Sequence, residues 1–87
     1  MAEDEMLPGR WSEGADGPEL DLRGLEPPEP MVGILGRIEA DPHHAPFTVR
    51  LARDPIHLFA ELIERGWAWQ YLPAEADEVR LRLERPA

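Results

Sequence analysis

The apolar residues between Phe47 and Leu72 change their period twice, and this limits how the chain can fold more than any other feature. FTVRLAR alternates, with Phe47, Val49 and Leu51 on one side and Thr48, Arg50 and Ala52 on the other. That is the repeat of a strand with one buried face. In DPIHLFAELIERG, a turn of about 100° per residue gathers Ile56, Leu58, Phe59, Ala60, Leu62 and Ile63 on one broad face. His57, Glu61, Glu64 and Arg65 lie opposite. Asp54 is placed to cap this helix with Pro55 as its first residue, and Gly66 is placed to end it. WAWQYL then alternates again, Trp67, Trp69 and Tyr71 against Ala68, Gln70 and Leu72.

The flanking segments extend the same scheme. LDLR, from Leu20 to Arg23, alternates as a strand and stops at Gly24. In PPEPMVGILGRIEAD, the residues Met31, Ile34, Leu35 and Ile38 recur at helical spacing. Pro27, Pro28 and Pro30 fit only the first turn of that helix, where N–H groups have no intrahelical partner. VRLRLE reads as the last strand, joined to WAWQYL by the hairpin loop PAEADE. The expected fold is therefore α+β, a two-layer sandwich of order β-α-β-α-β-β. Its two helices pack on one face of a mixed four-stranded sheet, the arrangement that buries every apolar stripe at once.

Residues 1–19 carry six acids (Glu3, Asp4, Glu5, Glu13, Asp16 and Glu19) against Arg10, a segment charge of -5 within a chain total of -9. Pro8, Gly9, Gly14, Gly17 and Pro18 interrupt any regular pattern. Too little apolar surface is present to offset the entropy of ordering, so the expectation is a disordered acidic tail over 1–19 and a folded domain over 20–87. Trp11 and Leu7 are the sizeable apolar groups of this tail, and the sequence leaves open whether Trp11 docks.

The net charge of -9 argues against a non-specific binder of nucleic acid, because the overall field repels phosphates unless the cations gather on one face. No apolar run reaches the ~18 residues of a membrane span. The start MAEDEM is acidic and lacks the charged-then-apolar order of a signal peptide, which sets a cytoplasmic expectation. The chain has no cysteine. Disulfides, thiolate metal sites and thiol nucleophiles are thereby excluded together.

LDLRGLEPPEP followed by an amphipathic helix resembles the TusA-like, or SirA-like, sulfur carriers. Their signature is a leucine-aspartate strand, a Gly-Leu turn and a Cys-Pro-x-Pro motif opening the first helix. Here Gly24 and Leu25 match the turn, Pro28 and Pro30 match the Pro-x-Pro, and Pro27 stands at the cysteine position. ARDPIHLF and RGWAWQYL look more like a cysteine-less branch of that superfamily, a domain of unknown function often found near hemerythrin-like and denitrification-linked genes. In the carriers the helix N-terminus lowers the pKa of a thiol that holds a persulfide. Pro27 supplies no sulfur, so the resemblance implies the fold without the carrier chemistry. The proline motif is then a rigid start for the first helix.

A non-catalytic, cofactor-free module that binds a protein partner or a small anionic ligand is the expected function. Two surfaces are candidates. Arg23, Arg50, Arg80 and Arg82 leave the sheet on the side away from the helices, as a local positive patch or, since Asp21 and Glu84 share that surface, as a solvated face with cross-strand ion pairs. Gly33 and Gly36 fall with Ala40 on the outward side of the first helix, where two glycines at a cost of about 1 kcal/mol each are explained by close approach of another chain or by GC-biased drift. A monomer or a weak homodimer through that helix follows. Arg53 beside the second helix is a further candidate anion contact.

Two alternatives belong to other classes. One is an accessory factor in sulfur, redox or nitrogen-oxide metabolism that uses His57 and Asp54 with Arg53. The other is RNA binding through the open arginine face, which no aromatic on that side supports. His57 sits one turn from Glu61 as a surface pair. His43 and His44 are adjacent in a loop and point apart, which disfavours a metal site.

Overall fold

A computed structural model describes residues 6–86. The acids Glu3, Asp4 and Glu5 of the expected tail lie outside them. Seven elements follow in order: β1 (Arg10–Gly14), β2 (Gly17–Asp21), α1 (Glu29–Ala40), β3 (Phe47–Leu51), α2 (Ile56–Glu64), β4 (Ala68–Leu72) and β5 (Val79–Glu84). The order is thus β-β-α-β-α-β-β, and the sheet has five strands, β1-β2-β3-β5-β4, rather than the expected four.

The additional strand comes from the segment assigned to the tail. β1 and β2 form an antiparallel hairpin in which Gly14 faces Gly17 and Trp11 faces Leu20. Composition misses it because RWSEG has a single large apolar residue and so no readable period. The strand forms because it covers the backbone edge that β2 would otherwise leave unpaired. Pro18 is tolerated within β2 because the ladder to β3 begins only at Glu19.

β2 and β3 run parallel across the α1 crossover, and β5 lies between β3 and β4, antiparallel to both. The core is Leu20 and Leu22, Ile34 and Ile38 of α1, Phe47, Val49 and Leu51 of β3, Leu58 and Leu62 of α2, Trp67, and Leu81 and Leu83 of β5. Met31 and Leu35 pack at its margin, as the helical spacing predicts.

The helix ends differ in part from expectation. α1 starts at Glu29, so Pro27 and Pro28 precede it and Pro30 alone occupies the first turn. α2 is capped by the backbone of Pro55 with no side-chain hydrogen bond, and Asp54 is not its cap. Gly66 ends α2 as expected: at φ +76 it turns the chain so that its own N–H meets Ile63 O at 3.1 Å and the Trp67 N–H meets Leu62 O at 2.9 Å. Two terminal carbonyls are satisfied in this way.

Candidate functional site

The open sheet face is a lattice of ion pairs. Cross-strand register sets Asp21, Arg50 and Arg80 in one row and Glu19, Thr48 and Arg82 in the next. Arg50 and Arg80 are direct neighbours, a destabilising like-charge pair unless acids intervene. They do: Glu19 lies 2.9 Å from Arg80 and 3.5 Å from Arg50, while Glu78 reaches Arg50 at 3.3 Å and Arg23 at 3.4 Å. Asp21 holds Arg23 at 2.9 Å, Asp16 holds Arg80 at 3.1 Å, and Glu84 meets Arg82 at 3.5 Å.

The hydrogen bond from Arg23 keeps the Asp21 carboxyl below its ordinary value against the opposing push of partial burial, and the bond to Glu19 raises Arg80. The four arginines singled out from the sequence do come together, but each is paired with at least one acid, Arg50 through the shared Glu19 and Glu78. Two of those acids, Asp16 and Glu19, lie in the segment expected to be disordered. The strand register of β1 and β2 is the signal that would have found them.

The glycine face of α1 is also occupied. A Cβ at Gly33 would collide with Pro8 O and come within 3.0 Å of Leu22, and one at Gly36 would come within 2.7 Å of Leu7. The close approach that these glycines permit is therefore made by the chain's own Leu7 and Pro8. Arg37 is 3% exposed and fastens the segment, donating to Pro8 O at 2.7 Å and to Gly33 O at 2.8 Å. Its guanidinium lies 5.4 Å from the centre of the Trp11 ring. Trp11 stacks on His44 at 5.9 Å and meets Phe47 edge-on at 5.5 Å, so it is docked.

The turn at Gly24 and Leu25 follows β2. Gly24 has φ +85, and Leu25 packs against the core. A shallow depression of about 260 Å³ beside it is lined by Gly9, Arg10, Asp21, Arg23 and Leu25. His44 Nδ1 lies 2.8 Å from Ala45 O. Among the described residues no group of three His, Asp or Glu is placed to hold a metal ion. His57 is exposed on α2, and the Glu61 expected beside it pairs instead with Arg65 at 2.9 Å, which also reaches Glu39.

A third surface, at the corner of α2 and β4, is left without internal cover. Of the six apolar positions on the α2 wheel, Leu58 and Leu62 are buried and Phe59 is partly so, stacked on Trp69 at 4.4 Å. Ile56 is 68% exposed, Ile63 65% and Tyr71 53%. Ile56 and Ile63 are two turns apart on the same side of the helix, and β4 is the end strand of the sheet. β4 reads AWQYL and carries no charge, and charge is the usual protection of an exposed strand edge.

At the end of this surface Tyr71 donates from its hydroxyl to Asp54 at 2.7 Å, and that bond raises its pKa. The phenol is thus favoured in the folded chain, and the stabilisation, present at neutral pH, is lost as pH rises through the raised value. Tyr71 is the sole tyrosine of the chain, so an ultraviolet titration reads it alone. It should ionise above the ordinary phenol range and return to it in Asp54→Ala. A midpoint unmoved by that substitution would disprove the bond.

Among the described residues no helix is long and apolar enough to cross a membrane. No curated protein and no solved structure matches the chain. A family model does, over residues 19–85, from β2 through β5, and its description is an uncharacterized conserved protein, DUF2249. The chain belongs to that family, a domain of unknown function.

Proposed function

We infer that the domain is a non-catalytic recognition module, TusA-like in descent, that engages protein through the α2–β4 corner. The observation that carries this is the exposure of Ile56, Ile63 and Tyr71 together on one side of the molecule. Large apolar side chains clustered at the surface mark interaction sites, because isolated ones are common and contiguous ones are not. The other two surfaces weigh less. The arginines of the sheet face are neutralised within the chain, so an anionic ligand would have to displace Glu19 or Glu78. The glycine face of α1 is covered by Leu7 and Pro8. Loss of carrier chemistry follows from the absence of any cysteine, with Pro27 at the motif's thiol position.

The test is photo-crosslinking of the full chain in cells. A benzophenone amino acid at Ala60, on the exposed side of α2, is expected to form covalent protein adducts, whereas one at Ser12, on the far side of the sheet, is not. Absence of adducts from Ala60 overturns the reading, whatever Ser12 gives.

A further inference from the structure

We propose that a second copy of this chain covers the α2–β4 corner, pairing β4 with β4 across a two-fold axis so that two five-stranded sheets become one; this rests on the reading of the corner as a protein-binding surface. The strand is complementary to itself. A two-fold axis normal to the sheet keeps side chains on their own faces, and centring it on Gln70 pairs all five residues of Ala68–Leu72. Trp69 then stands opposite the partner's Tyr71 on the helix side, Gln70 opposite its own copy, and Ala68 opposite the partner's Leu72. No like charges meet in this register, and aromatic pairs of this kind stabilise neighbouring strands.

The helices are complementary in the same orientation. The bond from Tyr71 to Asp54 sets the start of α2 beside the end of β4, so α2 runs antiparallel to the strand beneath it. The two-fold axis therefore lays the two α2 helices antiparallel, with Ile56 of one toward Ile63 of the other. It also brings Arg53, before α2, toward the partner's Glu64 at the opposite end. Arg53 and Glu64 are both exposed, and neither has an ion-pair partner among the described residues. Each finds one across the axis, twice over.

Size and net charge are compatible with this. Ile56, Ile63 and Tyr71 supply roughly half of the ~800 Å² that each side of a standard interface contributes, and the edge of β4 adds to it. Repulsion between two chains of net charge -9 is spread over surfaces that salt screens within about 10 Å, while the charged groups near the contact are Arg53, Glu64 and the Asp54 carboxylate that accepts from Tyr71.

Sedimentation equilibrium of the full chain from about 10 μM to 1 mM tests the proposal. The mass should rise from 9.9 kDa toward twice that value. Ile63→Asp should hold the chain monomeric with its circular dichroism unchanged. Arg53→Glu should weaken the dimer about tenfold, since two attractions become two repulsions, and Arg53→Glu combined with Glu64→Arg should restore it. A monomer at every concentration overturns the dimer, as does a dimer indifferent to Ile63→Asp and to the charge exchange. A monomer that still gives Ala60 adducts with some other protein sinks the dimer alone; a monomer without adducts sinks the recognition module as well.

Discussion

Replacing Arg37 with methionine is expected to cost about 3 kcal/mol of folding stability and to release residues 6–9 from α1. The guanidinium is buried, and among the described residues it donates charge-assisted bonds to backbone oxygens, to Pro8 O of the N-terminal segment and to Gly33 O of α1 itself. Methionine keeps most of the packing of the aliphatic stem and removes every donor, so the loss reports the hydrogen bonds rather than a cavity. Pro8 O is then left facing α1 with that partner gone, the costly half of a broken buried bond.

Lysine at the same place keeps the charge but not the planar fork, and should recover only part of the loss. The measurement is urea unfolding, with tryptophan emission and proteolysis before Arg10 as independent readings of the segment. If Arg37→Met leaves the midpoint where it was and the segment protected, the clamp is not what holds residues 6–9.

Phe47→Ala should be more damaging, about 3–5 kcal/mol. Domains of this size hold on the order of 5 kcal/mol in total, so the variant should be largely unfolded near physiological temperature. Phe47 is fully buried and joins the parts of the core: its ring meets Trp11 of β1 at 5.5 Å, His44 of the loop before β3 at 4.9 Å and Trp67 after α2 at 6.0 Å. Truncation removes the shared neighbour of all three rings.

Phe47→Leu should cost about 1.5 kcal/mol, because the volume is largely kept and the edge-on ring contacts are lost. Thermal unfolding distinguishes the two. Trp11→Ala added to Phe47→Ala should cost less than it does alone, since the ring it packs against is already gone. Strict additivity would show that Trp11 is held by something other than Phe47.

Where the chain alternates or turns with a helical period over two or more large apolar residues, the elements follow from the sequence. FTVRLAR, DPIHLFAELIERG and VRLRLE form the strand, helix and strand that their spacing predicts, within a residue or two at the ends. Gly66 closes α2 for the reason its position suggests. Local pattern suffices there because one face of each segment is apolar and only one pairing buries it.

The candidate site was legible in its residues and not in its roles. Arg23, Arg50, Arg80 and Arg82 share a face as alternation requires, yet whether they are a patch or a set of closed ion pairs depends on Asp16 and Glu19, which reach them only through the β1–β2 hairpin. A strand such as RWSEG has one large apolar side chain and takes its shape from the edge that it completes. Gly33 and Gly36 announce a close approach without saying whose backbone makes it.

On α2 the helical wheel marks six apolar positions and cannot say how many a neighbour covers. Local chemistry along the chain therefore determined, β1 excepted, which segments are helix or strand and which side of each is apolar. Which of those sides is buried, by what, and which remains open at Ile56, Ile63 and Tyr71 was decided by tertiary packing. A helix resting near the edge of a sheet covers a stripe of Leu58 and Leu62 and leaves the rest of its apolar face outside.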